Sequence, residues 1–157
     1  MPKLKIVSGG QTGADRAALD WAMAHDVPHG GWCPQGRLAE DGPIASKYRL
    51  KETPLAEYAE RTEWNVRDAD GTVIFSIAEE LTGGSLATAH FARVHGKPCL
   101  HLSRKTKNPA PKLRAFIAKH KIKVLNVAGP QASTTPEIGK FVRETLDHAI
   151  RRRPRRA

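Results

Sequence analysis

The chain has 157 residues, 39% hydrophobic and 27% charged, enough for one domain with a core and typical of an ordinary globular protein. No apolar run reaches membrane-spanning length, and "MPKLKIVSGG" lacks a signal-peptide layout, so a cytoplasmic protein with no membrane contact is expected. The formal net charge of +10 suggests nucleic acid, but the five arginines of the terminal "RRRPRRA" supply half of it.

In chain order, "KLKIVSG" (3–9) reads as a buried strand, and Ala14, Ala18 and Trp21 mark an amphipathic helix after it. "HGGWCP" (29–34) is a weak second strand. The polar stretch 35–54 that follows is longer than a connector needs, which marks it as a functional loop. "LAEYAERTEWNVRDAD" (55–70) reads as a helix and "GTVIFSI" (71–77) as the clearest strand. "TGGS" (82–85) opens a small-residue helix, and "KPCLHLS" (97–103) is a strand. In "APKLRAFIAKHK", Leu113, Phe116, Ile117 and His120 share a helical face. "KVLNVAG" (123–129) is the last strand. "TPEIGKFVRETLDHAI" closes the chain as a helix, with Thr135 at the N-cap and Pro136 in its first turn. This alternation predicts one Rossmann-like α/β domain over residues 1–150. It has a mostly parallel sheet of about five strands with helices on both faces, and a basic tail at 151–157, expected to be disordered. The tail could make weak, non-specific contacts with nucleic-acid phosphates.

Two glycine turns follow strands, so both fall at the carboxyl edge of the sheet, where α/β folds take ligands. Glycine lets a ligand approach the backbone N–H groups, and unpaired N–H groups at a helix start favour an anion. The first turn offers Gly9, Gly10, Gln11, Thr12 and Gly13, with Ser8 beside it. The second offers Thr82, Gly83, Gly84 and Ser85, with Thr88 one turn on. Ser8 stands where the first glycine of G-x-G-x-x-G would be, and "HGGWCP", about twenty residues further on, has no carboxylate, which argues against a dinucleotide. G-x-x-x-x-G-K-[ST] occurs nowhere, so this is no P-loop. The ligand expected is a phosphorylated small molecule or oxyanion, helped by Arg16, Arg37 or Lys47.

Other residues carry alternative readings. Asp15 is a ligand contact or a complement to the helix dipole. Glu79 and Glu80, just before "TGGS", are general acid–base candidates or plain loop carboxylates. Trp32 and Trp64 are stacking surfaces for a planar ring or packing residues. Arg61, Asn65 and Asp68 crowd polar groups onto one helix, as a site or as helix surface. Cys33 and Cys99 make neither a disulfide framework nor a CxxC site, and Cys33 reads as a small buried residue near the ligand edge. The scattered histidines support no metal site.

"VSGGQTGADRAALDWA", "GWCPQGRLAEDGPI", "YRLKETP", "RTEWNVRDADGTVIFS", "LTGGSLAT" and "LNVAGPQAS" together resemble the putative molybdenum carrier family, up to about residue 150. This is a Rossmann-like group within the lysine-decarboxylase-like nucleotide-binding superfamily. The resemblance implies a homo-oligomer that binds molybdenum cofactor, a pterin phosphate, or a related nucleotide-like ligand. It carries over onto Gly9, Gly10, Gln11, Thr12, Gly13, Thr82, Gly83, Gly84 and Ser85. The superfamily also includes phosphoribohydrolases with a P-G-G-x-G-T-x-x-E loop bearing a catalytic glutamate. Here Thr82 replaces the proline and His90 stands at the glutamate position, so a carrier is the leading expectation. The alternative is N-glycosidic hydrolysis of a nucleoside monophosphate using Glu79 or Glu80.

Overall fold

The computed structural model describes residues 4–150, so the arginine-rich tail expected at 151–157 lies outside the described residues. The strands are β1 (Lys5–Val7), β2 (His29–Gly30), β3 (Trp32–Cys33), β4 (Lys51–Glu52), β5 (Gly71–Ser76), β6 (Cys99–Ser103) and β7 (Val124–Ala128). The helices are α1 (Ala14–Ala24), α2 (Tyr58–Asp68), α3 (Gly83–Val94), α4 (Pro109–Lys119) and α5 (Ile138–Ala149). Five strands form one sheet in the order β2-β1-β7-β5-β6, and every pairing in it is parallel. This is the α/β architecture that the alternating pattern predicts.

The two faces of the sheet are chemically unlike, because side chains alternate along a strand. Ile6, Val73, Phe75, Leu102, Leu125 and Val127 point into one continuous apolar core with α1, α4 and α5. Helix α5 suits that layer, since Ile138, Phe141, Val142, Thr145, Leu146 and Ala149 recur at helical spacing and are all buried. The opposite face, under the α2–α3 pair, carries Thr72, Ser76 and Asn126. There the Asn126 amide donates to the Thr72 hydroxyl at 3.2 Å. The chain leaves β1 into α1 on one face and β5 into α3 on the other, with β7 between them. That divergence opens a crevice at the carboxyl ends.

Three expectations change. "HGGWCP" is two strands: Gly31 (φ +125°) lies so close to β1's exit that a Cβ there would stand 2.3 Å from the Ser8 carbonyl oxygen. The turn at Gly31 redirects the chain out of the main sheet, so β3 pairs in parallel with β4 instead. The closing helix starts at Ile138, because Thr135 belongs to a preceding turn in which its N–H reaches the Gln131 carbonyl at 3.0 Å. Thr135 is therefore not the N-cap.

The stretch between β3 and β4 is well organised despite its polarity. The Arg37 guanidinium donates to the carbonyls of Ile44, Leu50, Ala45 and Tyr48, gathering the loop around one side chain. Ile44 and Tyr48 then pack on Leu19 and Cys33 as a second small core, and the Tyr48 hydroxyl donates to Asp20 at 2.6 Å. Arg37→Ala should cost about 2–4 kcal/mol at roughly 1 kcal/mol per hydrogen bond. Urea unfolding would read that loss, and hydrogen exchange should show lost protection concentrated between residues 36 and 50.

Candidate functional site

A small cleft, partly open to solvent, lies at the carboxyl ends of β1 and β7. Gly9 and Asp15 line it from the first glycine turn and α1, and Arg61, Thr62 and Asn65 from α2. Gly84, Ser85 and Thr88 come from α3, and Asn126 to Gly129 from β7 and its exit. Among the described residues, no aromatic side chain lines the cleft.

The two glycine turns contribute very differently. In the first, only Gly9 lines the cleft. The Arg61 side chain crosses close over Gly9: a Cβ there would stand 2.0 Å from Arg61 Nη1, so a larger residue would make the guanidinium shift. Gly10 (φ +78°) faces away, with Leu50 Cδ1 2.6 Å from where a Cβ would lie, so it serves loop packing. The Gln11 side-chain oxygen accepts from the N–H groups of Thr12 (3.0 Å) and Glu40 (2.9 Å). The Thr12 hydroxyl donates to Glu40 and accepts from the Ala132 N–H at 3.1 Å. Gly13 (φ +83°) lies against the Pro130 carbonyl, which accepts the Ala14 N–H at 3.2 Å. Gly10, Gln11, Thr12 and Gly13 therefore join the turn to the long loop and to the exit of β7.

The second turn is open. Ser85 and Gly84 line the cleft, and a Cβ on Gly84 or Gly83 would meet no atom within 4 Å. Thr82 is the exposed N-cap residue and, like Gly83, stands outside the lining. The N–H groups of Gly83, Gly84 and Ser85 precede the first backbone bond of the helix, from Leu86 to the Thr82 carbonyl at 3.3 Å. Such N–H groups are suited to an anion.

The remaining candidates separate cleanly. Glu79 and Glu80 are exposed and do not line the cleft. Trp32 and Trp64 pack edge to face with each other, centroids 4.8 Å apart. Asp68 accepts from Trp32 Nε1 at 2.9 Å, while Asn65 brackets the Trp32 backbone, accepting its N–H (2.8 Å) and donating to its carbonyl (2.9 Å). Arg16 pairs with Asp41 and donates to the Gly10 carbonyl at 2.9 Å, and Lys47 is exposed over the Tyr48 ring. Cys33 is fully buried, and burial pushes its thiol up from the usual range, which disfavours the nucleophilic thiolate. Ser76 and His101 form an unforeseen contact at 2.6 Å, yet the serine hydroxyl donates to the Ala78 carbonyl. The histidine then donates to the serine, which leaves no base for a nucleophile.

Sequence reasoning singled out Asp15 and Arg61 separately; the structure joins them. Arg61 Nη1 stands 3.4 Å from Asp15 Oδ2, and the two side chains are only 11% and 10% exposed. Burial pushes the Asp15 carboxyl up to about 6, even though Arg61 and backbone hydrogen bonds from Gln11 and Gly9 pull the other way. Thr62 and Asn126 were not foreseen; an asparagine within a strand that reads as core was the available signal for the latter.

The raised carboxyl has a consequence for stability. The folded chain holds the Asp15 proton up to about pH 6 and the unfolded chain only to about 3.8. Between those values only the folded state is protonated, so the contribution is complete below 3.8 and is lost as pH rises through 6. The loss amounts to about 3 kcal/mol by linkage. The stability difference between wild type and Asp15→Asn should therefore shift against wild type by about that amount from pH 3.5 to 7, read by urea unfolding at each pH.

Comparison with known proteins bears on this arrangement. A solved structure from Syntrophus aciditrophicus, described as a putative molybdenum carrier protein, superimposes with a TM-score of 0.92. It is 46% identical over 96% of this chain and 97% of that one. (E)-4-hydroxy-3-methyl-but-2-enyl diphosphate reductase matches 91% of this chain and 58% of that one at 12% identity and a TM-score of 0.41, too distant to inform function. The curated proteins give no match. The model of the Circularly permutated YpsA SLOG family matches residues 6–150, so the chain belongs to that family.

Proposed function

We propose that the protein is a carrier-like binding protein for a phosphorylated cofactor or nucleotide-like ligand, molybdenum cofactor among the candidates. The observation that carries this reading is the cleft where a buried arginine faces the open N-terminal turn of α3. The likeness to a protein described as a molybdenum carrier supports the class. The ligand's anionic end lies between Arg61 and Ser85, and any ring it bears lies toward solvent, since no aromatic among the described residues lines the cleft. Molybdenum cofactor would meet Arg61, Ser85 and Thr88 through its phosphate.

Hydrolysis of an N-glycosidic bond is a second reading that one observation favours. Asp15 is a cleft carboxyl that titrates near neutrality, the property of a general acid or base. Glu79 and Glu80, the earlier candidates for that role, lie outside the cleft.

Isothermal titration with molybdenum cofactor, molybdate and a panel of nucleoside monophosphates tests the carrier reading. At least one should bind, and none should yield free base. No binding by folded protein overturns it, and base released by wild type but not by Asp15→Asn establishes the hydrolase instead. Gly84→Val should leave the fold intact and weaken binding tenfold or more, because its side chain enters open space beside the cleft.

A homo-oligomer is part of the same proposal. Leu86 and Val94 are 56% and 61% exposed on α3, with exposed His90 between them at four-residue spacing. Scattered exposed apolar residues are ordinary, but a stripe along one helix suits a subunit contact. Sedimentation should give an oligomer for wild type and a smaller species for the Leu86→Glu, Val94→Glu double variant.

A further inference from the structure

The cleft holds one cation and one carboxylate of its own, and both must respond to an incoming anion. Arg61 Nη1 lies 3.4 Å from Asp15 Oδ2, and the guanidinium crosses directly over Gly9 to reach it. The opposite nitrogen, Nη2, makes no hydrogen bond among the described residues, whereas Nε reaches the Tyr58 carbonyl at 3.3 Å. The guanidinium is thus positioned with spare donor capacity.

We propose that a tetrahedral oxyanion entering the cleft replaces the Asp15 carboxylate as the counter-ion of Arg61, and that Asp15 takes up a proton as it binds. This rests on reading the cleft as an anion site and adds the chemical class of the end group and its coupling to pH. With Asp15 ionised, an incoming sulfate, phosphate or molybdate group would share one guanidinium with a carboxylate, both of them nearly buried at the base of the cleft. Two anions so placed repel strongly, and protonating one of them removes the conflict. The carboxylate Oδ2 becomes O–H, the Arg61 charge is left to the oxyanion, and the proton comes from solvent.

Asp15 is the group that must take the proton. Among the described residues it is the only carboxylate lining the cleft. The charged groups facing it are Arg61 from α2 and, more weakly, Arg16 from its own helix. Arg16 is already paired with Asp41. The lining from β7 and α3, namely Asn126, Ser85 and Thr88, carries no charge. Burial also brings the protonated form of Asp15 within reach at neutral pH, where an exposed aspartate would resist it.

Sulfate is the probe of choice because it does not itself titrate near neutrality, with AMP and molybdate run beside it. Calorimetry at pH 7.5 in two buffers of different ionisation enthalpy should show uptake of about 0.5–1 proton per sulfate bound. The sulfate affinity should fall, by up to about tenfold per pH unit, between pH 6.5 and 8.5. In Asp15→Asn both effects should vanish while sulfate still binds. Sulfate binding without proton uptake overturns the coupling, as does uptake that survives in Asp15→Asn. Should that variant not fold, the pH slope of the wild-type affinity decides alone: a flat slope overturns the proposal. Sulfate binding with uptake, but no binding of molybdenum cofactor, molybdate or any nucleotide, leaves the coupling standing and removes the carrier reading. No binding by any probe removes both.

Discussion

The contact on which the ligand edge depends is the passage of Arg61 over Gly9 to Asp15. It joins the first turn of α1, on one face of the sheet, to α2 on the other, and its residues floor the cleft. A buried ion pair is seldom a net source of stability, since desolvating both charges offsets their attraction. At 3.4 Å this pair falls short of an ideal hydrogen bond, and desolvation prevails over Arg61 in setting the Asp15 proton affinity. The pair is better understood as placing a cation beneath an opening than as a clamp. Removing Arg61 would strand a buried carboxylate, and the cheapest relief would be to keep it protonated.

The difference between the glycine turns follows from that pair. An anion-favouring turn needs a negative partner, and the first turn already has one within the chain. Backbone hydrogen bonds from Gly9 and Gln11 go to the Asp15 carboxylate, while the Gly10 N–H turns to Ser8 Oγ at 3.4 Å. Its outward side chains are spent on Glu40, which also accepts from the Ser133 N–H at 3.1 Å and so links three loops. Among the described residues, no atom lies within 4 Å of a Cβ built on Gly83 or Gly84 in the second turn. One glycine turn builds the floor; the other remains available.

The sequence allowed the layers to be read because they depend on local periodicity. Alternation of apolar strands with amphipathic helices foretold the five-stranded parallel sheet, and small residues after "TGGS" foretold α3. What escaped reading depends on contacts between distant segments. Gly31 diverts the chain because of a carbonyl at Ser8, more than twenty positions earlier, so "HGGWCP" looked like one strand. Arg37 looked like a ligand contact because nothing local reveals four carbonyls curling around it. The turns identified Gly9, Gly84 and Ser85 as cleft residues, but the same logic named Gly10 and Gly13, whose positive φ serves packing. Glycine at a turn reports a backbone requirement, and the requirement can come from a ligand or from a neighbouring loop. Asp15 and Arg61 were each visible as polar residues, but their pairing across 46 positions was not.

The aromatic residues bear on what kind of ligand end the cleft can grip. Trp32 and Trp64 were the natural platforms for a base or pterin, yet each is engaged within the protein. Trp64 meets Trp32 on one side and the Arg67 guanidinium 4.6 Å from its ring centroid, and Trp32 donates to Asp68. A cleft without such a platform gains little from a planar ring, because stacking needs an exposed π face. On the proposed carrier reading, recognition would rest on charge and on donors held by rigid elements: a guanidinium over Gly9, a serine in the first turn of α3, and amides that have no partner in their own helix. Such groups would discriminate by charge and by the geometry of oxygen acceptors. A site of that kind would select the anionic end of a ligand more sharply than the remainder.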